Sequence, residues 1–466
     1  MKSYLDDPTR LRKTLGLQSG RDIYPIACDH EPTFEDFVLR TVIDFVHLPY
    51  RDLNSMRITI LALGSRGDIV PYSNLGKALH AAGHDVWFIT SKNFEHHITS
   101  KGLRAYALPG DADVLLRSAG SKMTALLRGF RDVSKGIVQL NDELLPIFGK
   151  TDLILNQLPG GLYGFDLAEK FNIPMFMVAV IPLIRTSELP MIGWPRIFRA
   201  IPGYNNISYR MAEQIAWQML RTTINPWRLE ELDLPPTPFA GYMAEIYEGE
   251  VQFINGFSRH VVSRPDDWSE NVHITGYWFA DDDGWQPPEN LRRFIEKGTP
   301  PLYIGFGSMP IARPDDAIKI IHQALCNTGQ RAVLQMSHFN DDVLNLPDEI
   351  HPIQYAPHGW LFPRMTAVVH HGGSGTTSAG FRAGVPTLTL PFLFDQFFWG
   401  ARIESLGAGP PPIPFRHLSR DRLAIAIDRL LQDVEMRRRA SELGEKIRAE
   451  DGVLNGVRVV ERLMGS

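Results

Sequence analysis

Residue types able to do chemistry concentrate at three turns, the densest within TAVVHHGGSGTTSAGFRAGVPTLTLPFLFDQ (366–396). An apolar run ends there in His370 and His371, and Gly372, Gly373, Ser374, Gly375 and Thr376 precede a helical pattern. Glycines let backbone approach a ligand closely, and the N–H groups of a helix start attract an anion. A histidine just ahead of them can donate a hydrogen bond to a phosphate oxygen, while Ser374, Thr376 and Thr377 add hydroxyls. Ser374 or Thr376 serves equally well as a plain N-cap. After the next apolar run stand Asp395 and Gln396. An adjacent carboxylate and amide can hold several hydroxyls at once, and Asp395 can cap the helix that follows without losing that ability.

The second turn is GSRGD (64–68), between the apolar run MRITILAL and a helical pattern. Its glycines suggest a phosphate cradle, but Asp68 adds a negative charge unwelcome beside one. Capping of the following helix is one role open to Asp68. The third turn, GFGSM (305–309), offers Ser308 to a phosphate.

These turns need rigid elements to hold them. From Met56 onward short apolar runs alternate with helical stretches: RITILALG, HDVWFITS, LRAYALP, TDLILNQ and PMFMVAV, then PPLYIGFGS, RAVLQM, HPIQYA, TAVVHH and PTLTLP. Continuously apolar runs belong to parallel sheets covered on both faces. The two series predict an α/β fold of two tandem doubly wound, Rossmann-like domains facing across a cleft, with chemistry at the carboxyl ends of strands. The expected divisions are an N-terminal extension (1–55), a first domain (56–270), a linker (271–298), a second domain (299–445) and a C-terminal helix packing back on the first (446–466).

Two regions break the rhythm. Within the extension Phe34, Phe37, Val38, Thr41, Val42 and Phe45 follow helical spacing, beside the net negative set Glu35, Asp36, Arg40 and Asp44. An added packed helix is expected there, with a flexible leader as the alternative. Region 185–250 is aromatic and methionine-bearing, with a helix expected near 208–222. Its large apolar side chains can line a pocket for a bulky apolar ligand. Ile69, Trp194 and Trp217 are the candidate lining residues, and for Trp217 simple packing of its own helix is the competing reading.

The bulk numbers narrow the field. Of 466 residues 44% are hydrophobic and 22% charged, with a net charge of −5, which gives no electrostatic case for nucleic acid. Cys28 and Cys326 stand far apart, so neither a disulfide framework nor a structural zinc is expected. The N-terminus lacks an apolar signal core, and the longest apolar stretch, MFMVAVIPLI (175–184), is too short to span a bilayer. The expected setting is cytoplasmic.

Together, GSRGDIVPYSNLGKALHAAGH, TGYWF, PPLYIGFGSM, PHGWLFPRMTAVVHHGGSGTTSAGFRAGVP and PFLFDQFFWGARI resemble the sterol 3-beta-glucosyltransferases, family 1 glycosyltransferases of the GT-B fold. The resemblance runs from about Met56 to the C-terminus. It implies inverting transfer of glucose from UDP-glucose, held mainly by the second domain, to a hydroxyl of a sterol or similar acceptor held by the first. It implies that His371 contacts the phosphates and is catalytic, with Ser308, Gly373, Ser374, Gly375 and Thr376 beside it and Ser65 and Arg66 also on the nucleotide. Tyr355, His358 and Trp360 match the uracil-binding loop, although Trp360 as core packing stays open. Asp395 and Gln396 match the pair that holds the donor sugar, and Asp68 matches the general base.

There are departures from the family pattern. Ala379 occupies the position of a ribose-binding glutamate, and the turn at 64–68 has no catalytic histidine. The extension is expected to be too short for the membrane-targeting modules of fungal relatives, and peripheral membrane contact is one expected way to reach the acceptor. ADDDG (280–284) contains an acidic metal motif of another glycosyltransferase architecture, but in the linker, so no metal and no cofactor beyond the co-substrate is expected. The competing readings are an antibiotic- or polyketide-type transferase, a UDP-sugar epimerase on the same scaffold, and a lipid-binding protein with a decayed site.

Overall fold

A computed structural model describes residues 55–108, 141–157, 162–198, 200–249, 251–279, 284–307, 309, 311, 313–336 and 346–465. The helix expected at 34–45, Cys28, Ser308 and the acidic triplet Asp281–Asp283 lie outside the described residues.

The first half is built on a seven-stranded parallel sheet: β1 (Arg57–Leu61), β2 (Asp85–Ser91), β3 (Arg104–Leu108), β4 (Leu153–Gln157), β5 (Met175–Ala179), β6 (Gln252–Asn255) and β7 (Val272–Ile274). Their order across the sheet is β3-β2-β1-β4-β5-β6-β7. Pairing of Ile58 with Leu153 and Leu61 with Asn156 sets β1 against β4. Strand order reverses between these two, the place where doubly wound sheets open a crevice for ligands. Four of the five β1 residues are buried because helices cover both faces. One face packs Ile58, Ile60 and Phe88 against Leu75 and Leu79 of α1 (Arg66–Ala81). The other packs Leu61 and Ile154 with Tyr163 of α2 (Leu162–Phe171) and with Trp217, Ile224 and Trp227 of α3 (Tyr204–Glu230). The helix expected near 208–222 is thus longer at both ends. Residues Val272–Ile274, expected in the linker, form the edge strand beside β6; three residues are too few to show a strand period.

The second sheet is also parallel and contains β8 (Leu302–Gly305), β9 (Ala332–Gln335), β10 (Ile350–Ile353), β11 (Ala367–His370) and β12 (Thr387–Thr389), in the order β10-β9-β8-β11-β12. Its reversal falls between β8 and β11, where His370 pairs with Gly305. Leu302, Ile304 and Val369 face α4 (Pro314–Thr328) on one side, while Tyr303 and Val368 face Phe362 on the other. The helices α5 (Ser374–Ala383) and α6 (Asp395–Ser405) start at the carboxyl ends of β11 and β12. After α7 (Arg420–Gln432) and α8 (Val434–Ala449), α9 (Gly452–Met464) returns to the first half, burying Val457 and Val460 beside Leu75. The outgoing and returning chains run side by side, and a Cβ on Gly452 would stand 2.4 Å from the Tyr277 carbonyl oxygen.

Candidate active site

β1 delivers the GSRGD turn to the first reversal point. Gly64 has φ of +137°, and a Cβ there would lie 2.6 Å from Asp68 Oδ2, so only glycine lets the chain pass the carboxylate. Ser65 is the N-cap of α1, and its N–H and Oγ–H donate to Asp68 Oδ2 at 2.8 and 2.9 Å. Asp68 therefore belongs to the first turn of α1 and is not its N-cap residue. The Arg66 guanidinium sits 5.1 Å from the Tyr355 ring centroid and donates to its hydroxyl at 3.5 Å, joining the two halves. Gly67 faces α5, where a Cβ on Gly375 would be 4.0 Å from the Gly67 Cα.

β11 delivers the paired histidines, and they differ. His370 is fully buried, and its Nδ1 accepts from the Gly372 N–H at 3.0 Å, which shapes the turn. Burial and the neighbouring His371 and His358 hold it well below the usual histidine range. His371 lines the cleft between two glycines: a Cβ would lie 2.8 Å from its Cε1 at Gly307 and 2.5 Å from its Nε2 at Gly373. Burial lowers its pKa to about 4, offset in part by the Gly305 carbonyl, so the ring is neutral near pH 7 with one N–H to donate. Beside it, Gly373 caps α5, Gly375 and Thr376 line the cleft, and Ser374 Oγ donates across it to the Val180 carbonyl at 3.3 Å.

The Asp395–Gln396 pair also divides. Phe394 ahead of it holds φ of +51°, a strained value for an aromatic residue and of the kind that collects at functional sites. Asp395 lines the cleft and accepts from Trp399 Nε1 at 3.2 Å. Burial, with the charge of Asp68 facing it, raises its pKa to about 7. Gln396 reaches the cleft too, but its Oε1 is engaged by the Phe392 N–H at 2.8 Å and its Nε2 donates to Met309 Sδ at 3.2 Å. Its amide fastens the 392–394 turn.

At the far end, Tyr355 is half exposed, His358 stacks on Phe362 at 4.4 Å, and Trp360 meets Trp285 edge-on at 5.1 Å. Burial lowers the His358 pKa to about 4, with His371 and Arg66 adding to it. Ala379 lines this end, and Arg382, one turn on, lies over the Phe279 ring.

All these groups border one cleft of about 2320 Å³. Among the described residues, Arg66, Lys77, Lys101, Arg364, Arg382 and Arg448 line it against the carboxylates Asp68 and Asp395. One wall is apolar, formed by Ile192, Trp194, Ile215 and Met219 with Val180 and Leu183. Of the three candidate lining residues Trp194 borders the cleft, while Ile69 and Trp217 do not. Ile69 is fully buried under the first sheet, because its side of α1 faces β1 and β2. Trp217 packs against Tyr242 and donates to the Pro238 carbonyl, since it faces inward from α3. Sequence reasoning missed Lys77, Lys101 and the three arginines 364, 382 and 448. For Lys77 a signal existed, because it continues the helical series Gly67, Val70, Asn74 along the cleft-facing side of α1.

Residues 58–189 match the glycosyltransferase family 28 N-terminal domain, and residues 323–462 the erythromycin biosynthesis protein CIII-like C-terminal domain. A sterol 3-beta-glucosyltransferase of Arabidopsis thaliana is 34% identical over 433 residues, covering 89% of this chain and 69% of its own. The chain belongs to the sterol 3-beta-glucosyltransferases, within the family 1 GT-B glycosyltransferases. A sterol 3-beta-glucosyltransferase of Pichia angusta is 33% identical over 88% of this chain, which spans 34% of that relative's length. Among solved structures, the kitacinnamycin glycotransferase matches with TM-score 0.67 at 19% identity, over 88% of this chain and 99% of its own. The calicheamicin glycosyltransferase matches with TM-score 0.66 at 18% identity, over 88% and 98%. These two similarities place this sterol 3-beta-glucosyltransferase family member in the GT-B fold, in line with the two sheets expected from its strand series.

Proposed function

We propose that the protein transfers glucose with inversion from UDP-glucose to a hydroxyl of a sterol or a similarly bulky apolar acceptor. Residues 56–270 hold the acceptor and 299–445 the donor. One observation carries this reading: an apolar wall and a set of cationic side chains share a single cleft, and the carboxylates that line it among the described residues, Asp68 and Asp395, face each other from opposite halves.

The acceptor oxygen attacks the anomeric carbon opposite the diphosphate, and its proton passes to Asp68. The bond from that carbon to the phosphate oxygen breaks, and its electron pair leaves with UDP. Neutral His371 and the N-terminus of α5 stabilise the charge gathering on the phosphate. Asp395 accepts or donates toward the sugar hydroxyls, and the cationic lining draws in the anionic donor. Ala379 offers the ribose no carboxylate.

The test is a screen of UDP- and TDP-sugars against sterols, steroids and polyketides, with product stereochemistry read by NMR. A β-glucoside of a sterol from UDP-glucose supports the proposal; a polyketide product from a TDP-sugar, or an epimerised UDP-sugar without acceptor, overturns it. Asp68→Asn should lower kcat by about 10²–10⁴-fold while UDP still binds, the usual contribution of a positioned base. Unchanged turnover would remove Asp68 from that role.

A further inference from the structure

Six large apolar side chains between residues 197 and 215 stand in solvent: Ile197 is 82% exposed, Ile201 56%, Ile207 50%, Ile215 48%, Met211 47% and Phe198 44%. Ile207, Met211 and Ile215 recur every fourth residue along α3 and so form one stripe. Ile215 also lines the cleft, with Ala212 and Met219 on the adjoining side of the helix, and Trp194 lines it just ahead of Ile197. The stripe is the outward continuation of the apolar cleft wall. From the other half, Phe394 meets the same rim, 3.6 Å from where a Cβ on Gly193 would sit, and Phe397, three residues on, is 40% exposed. Exposed apolar surface gathered in this way marks an interaction site.

The charges along this stretch of sequence are mostly positive. From Gly193 to Arg221 the sequence carries Arg196, Arg199, Arg210 and Arg221 against a single carboxylate, Glu213. Glu213 is engaged by Arg185, whose Nε donates to Oε1 at 3.0 Å. In a chain of net charge −5 this stretch is locally cationic.

We propose that this face docks on an anionic lipid surface and holds the mouth of the cleft against the bilayer. Apolar side chains interleaved with arginines suit the headgroup boundary, which accepts both. A second copy of the chain, or another of its own segments, seated on the same face would close the entrance that the stripe borders. This proposal rests on the acceptor being a bulky apolar molecule; lipid contact spares that molecule a passage through water.

The experiment is sedimentation of the full chain with phosphatidylcholine vesicles, with and without phosphatidylserine, beside turnover assays. The parent should bind the anionic vesicles, and more weakly at high salt. The variant Ile197→Ser/Phe198→Ser/Ile201→Ser, whose positions do not line the cleft, should lose more than about tenfold in vesicle binding. It should keep its kcat on acceptor delivered in cyclodextrin and lose turnover on acceptor embedded in vesicles. Equal vesicle binding by the variant, no binding by the parent, or a parent dimer that the variant dissociates would each overturn the proposal. Turnover in cyclodextrin tests the transfer reaction without the bilayer, so its absence in the parent would sink the proposed activity and leave vesicle binding to decide the docking.

Discussion

Asp68 and Asp395 share one electrostatic problem from opposite sides of the cleft. In Asp68, a capping contact and a place in the cleft coexist, because Oδ2 takes both Ser65 donors while the residue still borders the cleft. Asp395 has its pKa raised from 3.8 to about 7 by burial first and the Asp68 charge second. Between those two values the folded chain holds a proton that the unfolded chain releases. The carboxyl costs no stability below the unfolded value, and its full cost appears as pH rises through the folded one. Asp395→Asn, which cannot ionise, should therefore raise Tm most at pH 8 and hardly at pH 4, as calorimetry across that range would show. An equal Tm gain at both ends would refute the assigned shift. At this scale the sequence was informative where a residue follows a strand end, as with Asp68, His371 and Asp395. It was poor where helix phase decides, as with Ile69 and Trp217, whose inward faces depend on what each helix packs against. That the Gln396 amide is committed to the 392–394 turn could not be read either, since the strained Phe394 backbone leaves no compositional trace.

The elements position His371 through register. Pairing of His370 with Gly305 sets the end of β11 beside the turn after β8, and glycines at 307 and 373 leave room for the ring between two stretches of backbone. Gly373→Ala would bring a methyl to 2.5 Å from Nε2, which forces the imidazole out of its place in the cleft. We expect kcat to fall about 10²–10³-fold, as when one positioned donor is removed, with Tm nearly unchanged. Steady-state kinetics beside a thermal melt checks both, and full activity would show that His371 is not held by this turn. The strand series of both sheets was legible because buried parallel strands are continuously apolar. The short edge strand β7 was not, and neither was the full length of α3, which continues past the polar residues Arg221–Thr223 and through Pro226.

At the scale of the molecule, the cleft gathers six cations against two carboxylates among the described residues, inside a chain of net charge −5. Donor KM should rise several-fold between about 0.05 M and about 0.5 M salt as screening tightens, while acceptor KM in cyclodextrin stays flat. A flat donor KM would deny the cations a steering role. Turnover should also survive EDTA, and loss of activity restored by magnesium would contradict the metal-free reading. Removal of residues 452–466 strips Val457 and Val460 from the first half, at a cost of roughly 3 kcal/mol or more for these two side chains alone. That is a large share of a typical domain stability of about 5–15 kcal/mol, so the truncated chain should melt lower or aggregate. The return of α9, with Gly452 against Tyr277, also makes the second half an insert: both of its ends leave and re-enter the first half at one place. A chimera that trades donor specificity therefore needs two cuts, near 279 and near 450, and the exchanged cassette would close on a seam already joined. Cutting once, at the linker, would hand the first half a foreign last helix.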